Sequence, residues 1–246
     1  MGKFFTVEVK PTIAASKQAQ AGFADYDLLF DWTSFNVPKG ANRLINATAI
    51  TRGADGPAQS HHMNLFFAKT LDSGATTPGS LGTIHATASG VGYQNHVIGG
   101  CVLEESDMLG GLDFLGVHAN AGQGDRMNGP NLVLQGEPES GDNIGYDKLF
   151  IGGIAADGDY SLASTVQVST ETATNTTAVV VKTTSAERVF DKGDVIHDED
   201  DQLIGTIKTV TDATNIVLEE NCANVSAVNK DLYCINPIKI ILHFEK

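Results

Sequence analysis

The 246 residues predict an all-β protein: an antiparallel β-sandwich of jelly-roll type, with a small β-barrel or sandwich inserted in it. Three observations lead there. Short β-branched and aromatic runs recur throughout, bounded by Gly, Pro, Asn or Asp. Glycine is abundant, at 26 residues, as many tight turns require. No long stretch shows the 3.6-residue apolar period of an amphipathic helix.

Phe5, Val7 and Val9 alternate with Thr6, Glu8 and Lys10, which predicts a half-buried first strand. The stretch Thr12–Asp27 reads as a short helix or an ordered loop, and its apolar positions, mostly alanine, favour the loop. LLFDWTSFNVP, RLINATAITRG and HHMNLFFAKT then read as strands, separated by turn residues at Pro38–Gly40 and Gly53–Pro57. Leu71–Gly92 is rich in Gly, Ser, Thr and Ala and predicts a long surface loop. NHVIGGCVLEE, LVLQGE and KLFIGGIAAD are further strands, the last one buried. From Ser161 the composition shifts to Thr, Ser and Val, which favour strands. Short strands then follow at intervals of about ten residues, as in a small barrel or sandwich. PIKIILHFEK is again as apolar as the first half. The expected organisation is a main sandwich over 1–160 completed by a terminal strand at 237–246, with an inserted β unit at 161–236.

The formal net charge of −14 disfavours nucleic acid and anionic membranes as partners. Cys101, Cys222 and Cys234 include no CxxC and no zinc spacing, and their odd number argues against a disulfide framework. Cys222 and Cys234 could meet across strands, but reduced buried thiols are expected. The N-terminus lacks the apolar core of a signal peptide, and no apolar run reaches membrane-span length.

The chemistry-bearing stretch that stands out is VFDKGDVIHDEDDQLIGTI, Val189–Ile207, with six acids and one histidine. Consecutive acids send their side chains in different directions, unlike the alternating ligands of a calcium loop. Apolar runs on both sides predict a hairpin with a polar tip, adventitious divalent binding being the alternative. His61 and His62 are adjacent in a strand and point to opposite faces. His85, His96, His118 and His243 read as structural or surface residues. GxSxG, the P-loop, HExxH and GxGxxG before a helix are all absent; Gly122-Gln-Gly124 is a loop. Glu104-Glu105 and Glu219-Glu220 diverge on strands, so an acid–base pair would have to assemble from distant ones. Trp32, between Phe30 and Phe35, reads as core. No catalytic, cofactor or metal residue is assigned, and none of these motifs indicates an enzyme.

Two groups of segments carry a resemblance. VEVKPTIAAS, LLFDWTSFNVPKGANRLINATAITRG, GYQNHVIGG and NIGYDKLFIGGIA resemble virion structural proteins of tailed phages, especially those of marine and cyanobacterial hosts. FDKGDVIHDEDDQLIGTI with TDATNIVLEENCANVSAVNKDLY resembles a small β module of phage head and tail proteins. The resemblance implies a non-enzymatic capsid decoration, or cement, protein without cofactors. It would be a homotrimer bound to the major capsid protein on the virion surface and assembled in the host cytoplasm. Phe4, Phe5, Val7 and Val9 of the first strand, with Leu81 and Ile84 of the long loop, are the expected contacts. Head–tail connectors, tail or baseplate parts, and receptor- or glycan-binding modules are the alternatives.

Overall fold

The computed structural model describes residues 2–20, 22–52, 62–70, 77–89, 95–104, 116–119, 130–156, 158, 161–164, 166–182 and 186–246. The predicted Gly53–Pro57 turn, His61, Glu105 and the Gly122–Gly124 loop lie outside them.

The first sheet is built on β1 (Phe4–Val9), β3 (Asn42–Thr51), β6 (Gly116–Ala119), β7 (Leu132–Leu134) and β15 (Ile238–Glu245). Its order is β1-β15-β3-β6, with β7 also on β3. Alternation sets its two faces. Ile238, Ile240, Leu242 and Phe244 of β15 are fully buried, while Lys239, Ile241, His243 and Glu245 point out. The second sheet contains β2 (Leu28–Pro38), β4 (Met63–Ala68), β5 (Val97–Leu103), β8 (Glu137–Pro138) and β9 (Tyr146–Ala155). Its order is β2-β9-β4-β5, with β8 also on β9. Every pairing is antiparallel. Two facing sheets in these orders form an eight-stranded jelly roll. Its core runs from Val9 through Leu44, Leu65, Phe67 and Ile151 to Leu242 and Phe244, with Phe5 and Val7 packed against it. Register slips in β2, between Leu28 and Phe30 and between Phe30 and Thr33, let consecutive Leu29 and Phe30 both enter that core.

The connection from β9 to β15 carries β10 (Ala178–Val180), β11 (Val195–Asp198), β12 (Leu203–Asp212), β13 (Asn215–Leu218) and β14 (Leu232–Cys234), in the order β10-β13-β12-β11-β14. Residues 166–169 close this sheet. Ser169 N–H donates to the Val180 carbonyl and Lys182 N–H to that of Gln167. On the other side Val168 N–H donates to Lys230 and Leu232 N–H to Val166. A closed barrel leaves no free edge. Its core is separate, built from Val166, Val179, Ile196, Ile204, Ile216 and Leu232 among others.

Thr12–Asp27 departs from the loop expectation by one turn of helix, α1 (Ala15–Gln18). The cause lies in the barrel, where an Asp201 carboxylate oxygen accepts the Ser16 N–H at 2.9 Å. A second helical turn, α2 (Ala186–Val189), buries Ala186 and Val189. The described part of the long loop, 77–89, is more than a surface loop. It lies on the outer face of the second sheet through bridges Leu28–Ile84 and Asp27–Thr87. There Leu81 closes a second apolar layer with Leu28, Ile154, Trp32 and Phe66. Asp31 anchors it, accepting the Leu81 N–H at 2.9 Å and the Ser80 hydroxyl at 2.6 Å. Trp32 thus packs in this outer layer, while its neighbours Phe30 and Phe35 fill the sandwich core.

Candidate functional site

The acid-rich stretch folds as the hairpin β11–β12, turning at Glu199–Gln202. Each of its carboxylates has a bond. Asp198, 3% exposed, accepts the Asp200 and Gln202 N–H groups on Oδ1 and the Ser226 hydroxyl on Oδ2. Glu199 and Asp200 both pair with Lys230, at 2.6 and 2.9 Å, and raise its pKa by accepting its protons. Asp201 holds α1. Asp191 Oδ1 accepts the Lys192 N–H. Asp194 takes Arg52, the residue that follows β3, in a two-pronged pair, Nη1–Oδ2 at 2.7 Å and Nη2–Oδ1 at 3.0 Å. The Arg52 and Asp194 side chains are only 17% and 10% exposed. Burial opposes the Arg52 charge, but the Asp194 carboxylate outweighs it and holds the guanidinium pKa above its ordinary value. This spacing of acids therefore joins hairpin, barrel and jelly roll. Among the described residues no three His, Cys, Asp or Glu side chains converge as a metal site would require.

Sequence reasoning missed the partners at this junction. Gln18, 1% exposed, donates to the carbonyls of Ile13 and Cys234, both at 2.8 Å. Asn236 donates to the carbonyls of Lys10 and Pro11. The local signal was slight: one Gln in an alanine-rich stretch, one Asn before a proline. Beside the junction lies a groove of about 360 Å³ lined by Ile50, Lys239, Arg52 and α2 with Phe190 and Asp191. Its charges are mixed: Arg52 is committed to Asp194, and Lys239 stands 4.0 Å from Glu8.

The expected contact residues separate. Phe5 and Val7 are half-buried against the sandwich core, with Phe5 stacked on Phe244 at 5.3 Å, and Val9 is buried. Leu81 is 1% exposed within its own chain, and Ile84 is half-buried beside it. Only Phe4, 70% exposed, presents its side chain to solvent. Among the described residues β1 pairs with β15 alone.

The three thiols are buried and unbridged. Burial, helped by the Asp194 charge, pushes Cys234 up to about 11. Burial, helped by Asp231, pushes its neighbour Tyr233 up to about 12. His85 stacks on Phe23 with ring centres 3.7 Å apart and donates from Nε2 to the Lys17 carbonyl at 2.8 Å. Burial lowers its pKa. His96 and His197 contact the backbone carbonyls of Lys69 and Asp201.

No protein-family model matches the chain, and no curated protein matches it.

Proposed function

We propose that the protein is a structural component of a tailed-phage virion, which decorates and stabilises the capsid by binding the major capsid protein as a homo-oligomer. One observation carries this reading. Of the conspicuous acids, Asp194 and Asp201 are bonded across the joint between two β units, to Arg52 and Ser16, while Asp198, Glu199 and Asp200 brace the barrel side of it through Ser226 and Lys230. Side chains committed to holding units in place suit an architectural part. The jelly roll adds support by analogy, since it recurs in viral capsid proteins as well as in lectins. In this reading 1–160 with 237–246 is the main domain, 161–236 an inserted one, and the oligomer a trimer on the virion surface. Neither cofactor nor catalysis has a part in it.

Quantitative mass spectrometry of separated heads and tails tests the proposal. Hundreds of copies in the head fraction are expected. A dozen or fewer, or copies confined to tails, would give the protein to a connector, baseplate or receptor-binding position instead.

A further inference from the structure

The jelly roll has two unlike ends. β9 enters the barrel connection at Ala155 and β15 returns from it at Ile238, so the barrel occupies one end. The other end holds the starts of β1, β3 and β9 and the finish of β2 and β15. It lies about 25 Å away along strands of eight to ten residues. Four of the eight exposed large apolar side chains among the described residues are there: Phe4 at 70%, Val133 at 68%, Ile144 at 77% and Tyr146 at 48%. The register aligns Phe4, Glu245, Arg43 and Val133 in one row across the first sheet. Tyr146, opposite Pro38, borders the same end from the second sheet.

Three lysines gather at this end. Lys3 and Lys246 exchange backbone hydrogen bonds, and the Lys246 ammonium donates to the Lys39 carbonyl. The Lys39 turn is fixed from below. Buried Asp147 accepts the Gly40 N–H at 2.9 Å, and buried Asn42 donates to the Pro38 and Gly40 carbonyls. All three lysines are exposed, and none has an ion-pair partner among the described residues. Arg43 pairs with Glu245 and Lys148 with Glu139, which leaves Glu137 and Asp142, among the described residues, as the acids outside ion pairs on this end's surface. The contrast with the barrel is sharp. Residues 161–236 contain twelve acids and five bases, a net −7 out of the chain's −14.

Exposed aromatic and aliphatic anchors beside unpaired cations, on an otherwise acidic protein, fit a partner with apolar sockets and an acidic rim. We infer that this end, bearing Phe4, Ile144, Tyr146 and the Lys3–Lys39–Lys246 cluster, is the face that seats on the capsid lattice, with the acidic barrel held outward. The inference rests on the capsid reading and adds the orientation, the docking residues and the chemistry of the lattice surface.

Lysine acetylation with an N-hydroxysuccinimide ester, read by mass spectrometry on purified particles and on free protein, tests it. Lys3, Lys39 and Lys246 should react several-fold more slowly in particles, while exposed Lys192 and Lys208 of the barrel react as in the free protein. Protection of Lys192 and Lys208 with the other three unchanged would overturn the orientation. Equal protection of Lys3, Lys39 and Lys246 in the free protein would give the face to a second copy and also overturn it. Absence of the protein from particles would instead sink the capsid reading. As a second arm, Phe4→Ser combined with Lys39→Glu should weaken rebinding to stripped heads about tenfold or more, a typical cost for losing an interface anchor. Undiminished rebinding would count against the inference. Both positions are exposed, so the variant should fold.

Discussion

At the scale of single residues, Arg52 and Asp194 carry the most weight at the junction. Each is mostly withdrawn from water, and each is the other's counter-charge. Removing one leaves a poorly solvated charge behind, which costs more than the pair itself contributes. Arg52→Met is therefore expected to lower unfolding free energy by about 2–3 kcal/mol. Adding Asp194→Asn should restore part of that, and a urea-denaturation cycle over the four proteins measures the coupling. Additive losses would mean that the two groups do not depend on each other. Beside them, Tyr233 and Cys234 make the protein sensitive to alkali. Both folded-state pKa values stand above the ordinary ones, so the native state keeps protons that the unfolded chain releases. Their contribution is complete below the ordinary thiol value of about 9 and declines as pH rises through about 11 and about 12. Urea midpoints should fall from pH 8 to pH 11, and less steeply in Cys234→Ala. A flat profile would show that neither group is linked to folding.

At the scale of elements, the strand β9 shows what a sequence reveals and what it hides. Its apolar run marks a buried strand, and the structure places it between β2 and β4. The glycine pair inside it gives no such hint of its purpose. A Cβ on Gly153 would stand 2.2 Å from Phe30 Cε1, and one on Gly152 would stand 2.4 Å from Leu81 Cδ1. The two glycines make room on opposite faces, one for the sandwich core and one for the layer beneath residues 77–89. Gly153→Ala should destabilise the protein by about 1–3 kcal/mol through overpacking. Thermal melts of the variant would refute this if the midpoint stayed at the wild-type value. The alternation in β1 and β15 was equally plain in the sequence, because a strand with one buried face writes its period directly. Residues 77–89 were not legible in that way. Few of their side chains are apolar, and the two that settle their position, Leu81 and Ile84, act through contacts with Leu28, which is distant in the chain. The choice between a short helix and a loop at α1 was not legible for the same reason: its decisive partner, Asp201, is 185 residues from Ser16.

At the scale of the whole molecule, two cores meet across a polar joint. The jelly-roll core and the barrel core form separate apolar clusters. Hydrogen bonds from Gln18 and Asn236, the Asp201 contact and the Arg52–Asp194 pair tie the two units together. Composition made the change at Ser161 readable, because Thr, Ser and Val replace aromatics there. The charge asymmetry became visible only once the strand order showed which residues share an end. A barrel with its own buried set and no free edge should not need the jelly roll in order to fold. Residues 161–236 expressed alone are expected to give a dispersed amide spectrum and a cooperative melt. The midpoint should lie below that of the full chain, since the Asp194 and Cys234 contacts to Arg52 and Gln18 would be missing. Adding Asp194→Asn to the fragment should cost it less than the same change costs the full protein, where Arg52 would be left unpaired. A fragment with a collapsed, undispersed spectrum would show instead that the joint is part of one cooperative unit, and the inserted-domain reading would fall with it.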